Sequence, residues 1–201
     1  MTASPPPFYD PRTGGWTFDT NTILSLEAGS LLGAIAMNMR SRVHLLADVV
    51  GEARTSAVLA STSLGSRLSW YSEERLTLPA HQTLYTRLRQ SWGSAPGKDG
   101  GEAACITLAA AYDWSFVCDD RVGFTTASLP PASLCTMRTT SLVIAMVRSG
   151  WLSKVDAWAA IQAMLTAGRW LGPSPWIGHA DFDHVCDVAS FASCRHTSGA
   201  L

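Results

Sequence analysis

Short strand-like apolar runs alternate with helical patterns along most of this chain, and that alternation constrains its fold more than any other feature. Trp16-Thr17-Phe18 reads as a strand ending at Asp19, and Thr20 and Asn21 are placed to cap a helix through Ile23, Leu24 and Leu26. Gly29 stops that helix, and Leu31 to Met39 reads as the next one. Val43 to Ala47 is a second short strand, after which Asp48 is expected to cap a helix through Val49, Val50, Glu52 and Ala53. Residues 55 to 66 have no decisive period. Leu68 to Tyr71 reads as an edge strand, His81 to Trp92 as a helix and Gly93 to Gly101 as a loop. Glu102 to Tyr112 is a strongly apolar helix, followed by the strand Ser115-Phe116-Val117-Cys118, the pair Asp119-Asp120 and a helix through Val122 to Ala127. Leu134 to Met137 reads as the last strand, with helices at Thr140 to Val147 and Lys154 to Ala167. The expected fold is an α/β/α sandwich around a mostly parallel sheet of about four to five strands, covered on both faces.

Composition narrows the class. With 201 residues, 47% of them hydrophobic and 15% charged, the chain can bury a sizeable core and is not of the disordered type. Apolar runs such as Leu31 to Met37 and Leu142 to Val147 are too short to cross a bilayer, so no membrane association is expected. Met1 to Gly15, with Pro5-Pro6-Pro7, reads as a flexible lead-in rather than a signal peptide, residues 16–171 as one domain, and 172–201 as a partly ordered polar tail. The five cysteines show no paired spacing; an odd count without a secretory signal reads as a reducing, cytoplasmic setting. A net charge of −1 argues against coating nucleic acid through bulk charge but leaves room for a local basic lip.

In an open parallel sheet, ligands bind beyond the carboxyl ends of the strands. Asp19 ends the first strand and Asp119-Asp120 end the third, while Glu52 lies one turn into the helix after the second and Glu102 opens the helix leading to the third. Taken singly, Asp19, Asp48 and Asp119 are in positions where acids cap helices, and Glu102 can complement a helix N-terminus. Taken together, carboxylates from four segments converge on one edge. Such a cluster repels itself and raises pKa values unless a cation neutralises it, and all-oxygen ligation suits Mg²⁺ or Mn²⁺. An ion held there can activate water and stabilise the oxygens of a phosphodiester under attack.

Several blocks also resemble one family. Thr17-Phe18-Asp19-Thr20-Asn21-Thr22 resembles the opening motif of PIN domains, and Val49-Val50-Gly51-Glu52 their second acidic position. Gly101-Glu102-Ala103-Ala104-Cys105-Ile106-Thr107-Leu108-Ala109 is similar to a signature of the PIN-like branch related to toxin nucleases of toxin–antitoxin pairs. Phe116 to Arg121 resembles the strand and Asp-Asp-Arg that follow in that branch, and Leu142 to Leu152 its closing helix and turn. The likeness spans roughly residues 16–171, and the acidic block followed by Asp-Asp-Arg is its more specific part. It implies a Mg²⁺ or Mn²⁺ site of Asp19, Glu52, Glu102 and one of Asp119 and Asp120. Asp120 is favoured because the usual motif has a spacer before its metal-site Asp; strand alternation sends the pair to opposite faces, so only one should reach the ion directly. Thr20 or Asn21 would support Asp19, and Arg121 is the basic residue best placed for a phosphate, ahead of Arg40, Arg42 and Arg138. The implied activity is endoribonuclease cleavage of RNA by a cytoplasmic homodimer, with a small antitoxin protein as possible partner. The alternatives are a catalytically weak module that binds RNA or protein, and a DNA or structure-specific nuclease.

The chain departs from that pattern where Met137-Arg138-Thr139-Thr140 stands in place of Gly-Thr, around Trp70 to Trp92, and after Leu171. His179, Asp181, Asp183, His184, Cys186, Cys194 and His196 crowd the tail without a zinc-like spacing. Trp114, Trp151 and Trp158 are expected to pack in or against the core, as are Trp170 and Trp176 when the tail docks.

Overall fold

The computed structural model describes residues 8–55, 70–93, 100–169, 171 and 178–194. In chain order the elements are β1 (Gly15–Phe18), α1 (Thr20–Ala28), α2 (Leu32–Asn38), β2 (Val43–Leu46), α3 (Ala47–Thr55), β3 (Tyr71–Glu74) and α4 (Pro79–Ser91). Then come α5 (Gly100–Tyr112), β4 (Trp114–Val117), α6 (Arg121–Ser128), β5 (Thr136–Met137), α7 (Thr139–Arg148), α8 (Lys154–Thr166) and α9 (His179–Val188). The strands form one five-stranded, all-parallel sheet in the order β3-β2-β1-β4-β5, with helices around it: an α/β sandwich.

Burial on both faces explains why the central strands are apolar without alternation. All four residues of β4 are buried, and Trp16, Thr17 and Phe18 of β1 are too. On one side α5 packs on β1, β2 and β4 and against α4 and α6; on the other α1 packs with α3, α7 and α8. Phe18, Ile23, Ile106 and Phe116 are fully buried, each contributing roughly 1.5–3 kcal/mol of hydrophobic stabilisation. Gly15 pairs with Trp114, whose indole lies across it; a Cβ at Gly15 would stand 2.2 Å from the ring. Trp114 stacks in turn on His44, ring centroids 3.9 Å apart, so that indole packs in the core region as its sequence setting suggests.

The strand order matters for function. The chain runs from β1 outward through β2 to β3, then returns to β4 on the opposite side of β1 and continues to β5. The loops after β1 and β4 therefore diverge, opening the crevice in which parallel sheets place their ligands.

Several expectations need correction. The edge strand is Tyr71–Glu74, displaced from the apolar run expected to form it; Leu68 lies outside the described residues, as do 56–69, Trp170 and Trp176. Its Ser72, Glu73 and Glu74 are polar because an edge strand has one side in water. Asp19, not Thr20 or Asn21, caps α1, and Asp48 sits inside the first turn of α3 because that helix starts at Ala47. Phe8, in the expected flexible lead-in, is buried and bridges to Phe191. The tail holds a helix, α9, which buries Phe182 and Cys186 against α7 and α8. Cys135 and Cys194, without any pattern in spacing, form a disulfide across 59 residues of sequence, which runs against the reducing setting expected from the cysteine count. No helix among the described residues is long and apolar enough to cross a membrane.

Candidate metal centre

Asp19 directly follows β1, and its own N–H donates to the Val117 carbonyl (3.2 Å), so β1 and β4 stay paired to their last residues. Its Oδ1 accepts the Thr22 N–H at 2.6 Å, capping α1. Asp120 does the same for α6, its Oδ1 accepting from Val122 N (2.7 Å) and Gly123 N (3.0 Å). Both acids are thus caps, yet one carboxylate can cap with one oxygen and present the other elsewhere. Capping and ligand binding are compatible readings of the same residue.

Glu102, in the first turn of α5, reaches over Gly123, whose missing side chain leaves room for it; a Cβ there would stand 1.5 Å from Oε1 of Glu102. Glu52, on α3, is held from across the cleft by the Thr20 hydroxyl, which donates to its Oε2 at 2.5 Å. The result is a cleft of about 210 Å³ lined by Asp19, Thr20, Asn21, Glu52, Gly101, Glu102 and Asp120. Six of the residues singled out from sequence therefore meet: the carboxylates Asp19, Glu52, Glu102 and Asp120, with Thr20 and Asn21 beside them.

Asp119 and Arg121 do not join them. Asp119 is buried and turned toward α7, its Oδ1 accepting from Thr139 N (2.9 Å) and its Oδ2 from the Thr139 hydroxyl (2.6 Å). Neighbouring positions on an extended segment point to opposite sides, so only one of the adjacent aspartates can face the cleft. Arg121 is exposed and does not line the cleft. Arg138, weighed as a phosphate contact, is buried; its Nη1 donates to the carbonyls of Cys118 (3.3 Å), Asp119 and Asp120 (3.0 Å). Its guanidinium lies 4.0 Å from the centre of the Phe124 ring. It holds the turn that aims Asp119 and Asp120 apart.

Burial dominates the electrostatics around the cleft. Burial raises the Asp19 pKa, opposed by hydrogen bonds from Thr22 and Cys118 and reinforced by the charge of Asp120. Burial likewise pushes Asp119 up to about 6, against the hydrogen bonds from Thr139. The Cys118 thiol donates to Glu102 Oε1 at 3.1 Å, and burial with the charges of Asp19 and Glu102 holds its pKa well above the ordinary thiol value. One ligand atom each from Asp19, Glu102 and Cys118 lies within 4.8 Å of the others. No other such group of three occurs among the described residues, so the histidines and acids of α9 do not assemble a zinc site there. The donor set of the cleft, mainly carboxylate oxygen with open space before it, suits a hard or borderline divalent cation.

Sequence reasoning gave no role to Cys118, Gly123 or Thr139, and weighed Arg138 only as a phosphate contact. Gly123 had no signal in the sequence, because the room it leaves for Glu102 depends on how α6 packs on α5. Thr139 was blurred because Met137-Arg138 replaces the expected small residues. No family model, curated protein or solved structure matches this chain.

Proposed function

We propose that the chain is a metal-dependent nuclease, an endoribonuclease of PIN-like type acting on RNA phosphodiester bonds. The observation that carries the reading is the meeting of Asp19, Glu52, Glu102 and Asp120, from four separate segments, around one cleft at the switch point of a parallel sheet. The order and spacing of the acidic motifs, which resemble the PIN-like branch, support RNA as substrate and Mg²⁺ or Mn²⁺ as cofactor. Asp19, Glu102 and Asp120 are the residues to hold the ion, with Glu52 facing them. A divalent ion bound there supplies Lewis-acid charge and an acidified water. The chain's own part is orientation: Asp19 and Asp120 are fixed by the α1 and α6 backbone amides, and Thr20 fixes Glu52. Such preorganisation is what an in-line displacement requires of its site. By the same resemblance, a homodimer and a small antitoxin partner belong to the proposal.

The test is cleavage of a panel of RNAs, with single-stranded DNA as competitor, in Mg²⁺ or Mn²⁺. Wild type should cut RNA, and Asp19→Asn and Glu102→Gln should lose at least about a hundredfold, as loss of a metal ligand would. Equal cleavage by all three proteins, or none by any, refutes the assignment; preference for DNA moves it to the DNA nucleases.

A further inference from the structure

A phosphodiester backbone needs a cation to hold it, and none of the described residues lining the acidic cleft is basic. Arg121 stands exposed outside it, and Arg138 is buried under the Asp119-Asp120 turn. Helix α4 supplies a cation from the other side. Gln82, Tyr85 and Arg89 follow at i, i+3 and i+7 and so share one face of that helix. Arg89 Nη1 donates to the Tyr85 hydroxyl (3.1 Å), and the guanidinium carbon lies 5.9 Å from the centre of the Tyr85 ring. Both side chains are half-buried, and the ring packs against the core.

Two adjacent glycines join this pair to the cleft. A Cβ at Gly100 would stand 3.3 Å from Arg89 Nη1 and 3.4 Å from the Tyr85 hydroxyl, and one at Gly101 would stand 3.6 Å from Glu52 Oε1. Gly101 itself lines the cleft, so the guanidinium and the carboxylates lie on either side of the first residues of α5. The Tyr85 ring also separates two hollows. One, of about 310 Å³, is lined by Thr86, Arg89 and Gln90, and Arg89 is the charged residue among its described ones. The other, of about 380 Å³, carries Asp48, Glu74 and Arg75. Resting on the nuclease reading above, we infer that Tyr85 and Arg89 form a nucleotide subsite for single-stranded RNA leaving the cleft. The guanidinium forks onto a phosphate, and the phenol ring stacks on a base. The carboxylates of the second hollow repel phosphate, so the backbone passes on the Arg89 side. Unpaired RNA fits because a base must leave its own stack to lie on the ring.

Fluorescence anisotropy of a short labelled single-stranded RNA titrated with the full chain tests this, in EDTA and again in Ca²⁺, apart from any cleavage. Arg89→Ala should weaken binding roughly tenfold and lower its salt dependence by about one phosphate contact. Tyr85→Ala should weaken it roughly fivefold or more, as loss of one stacked base would. Thr86→Glu changes an exposed residue, leaves the fold intact, and should also weaken binding by placing a negative charge on the rim. Arg12→Ala, exposed before β1 at the opposite end of the sheet, should bind as wild type does. Wild-type affinity in the α4 variants, an equal loss in Arg12→Ala, or no RNA binding in either condition overturns the subsite. RNA cleavage alongside unaffected α4 variants overturns the subsite alone and leaves the nuclease reading standing. Selective loss in the α4 variants without cleavage by wild type keeps the subsite and removes the nuclease reading.

Discussion

Gly123 has no side chain where Glu102 puts its carboxylate: a Cβ at position 123 would stand 1.5 Å from Oε1. The two residues lie on different helices, α6 and α5. The same glycine donates its N–H to Asp120, so it serves one acid by its amide and another by the absence of a side chain. Gly123→Ala makes a sharp test, because alanine favours a helix over glycine by about 0.5–1 kcal/mol. Glu102 is flexible at its far end and can swing away. The fold should therefore survive, with an unchanged or slightly raised melting temperature, while divalent affinity falls roughly tenfold or more. Calorimetry on the two proteins checks both halves; unchanged affinity would remove Glu102 from the site.

The two adjacent aspartates should separate cleanly. Asp120 lines the cleft and Asp119 is buried against Thr139. Asp120→Asn keeps a good α6 cap, so stability should change by less than about 0.5 kcal/mol while divalent binding and cleavage collapse. Asp119→Asn should leave divalent affinity within about threefold, since its carboxylate is not presented to the ion. The reverse pattern in a binding titration would exchange their roles.

Stability should carry a pH signature of Asp119. Its folded pKa, about 6, lies above its unfolded value, so the folded state binds more protons between the two. The stabilisation from this group is full below the unfolded pKa of about 4 and is lost as pH rises through about 6. The size is roughly 2–3 kcal/mol in the metal-free protein. Thermal melts from about pH 4 to 7 should show wild type losing stability relative to Asp119→Asn across that window. Parallel profiles for the two proteins contradict the burial of this carboxylate.

Thr20 ties the turn after β1 to α3 through its 2.5 Å hydrogen bond to Glu52. Glu52 is exposed, so the bond adds little to stability, below about 1 kcal/mol. Its effect should appear in turnover instead: Thr20→Val is expected to cut cleavage roughly tenfold, and Thr20→Ser to restore most of it. Loss in both variants alike would point to packing of the turn rather than to the hydroxyl.

The Cys135–Cys194 bond closes a long loop and fastens the end of the described chain to the start of β5, at the end of the sheet away from the cleft. Cys194→Ser should lower the melting temperature by about 5–15 °C, following roughly 2–4 kcal/mol of lost stabilisation. Divalent binding should be unaffected. A fall in binding as large as that in stability would mean that the sheet ends are coupled.

The alternation of elements was readable because buried parallel strands are short continuous apolar runs and helices between them carry clear stops, as Gly29 does. Three of the four cleft acids were readable for a related reason: Asp19, Glu102 and Asp120 stand at a strand end or helix start, where the chain must turn, while Glu52 lies further along α3. Distant pairings were not. Nothing in the spacing of Cys135 and Cys194, or of Phe8 and Phe191, announces contact across the chain. The edge strand was displaced because Tyr71 to Glu74 carries the polar residues of a strand with one side open. Arg138 was weighed only as a phosphate contact, behind Arg121, because burial of a guanidinium depends on carbonyls that only the folded turn brings to it.

The most direct measurement is anomalous scattering from crystals soaked in Mn²⁺. The account predicts a single strong peak between the carboxylates of Asp19, Glu102 and Asp120, facing Glu52, which disappears in Asp19→Asn. Carboxylates left without a peak at saturating Mn²⁺, or a peak held by other residues, would contradict it.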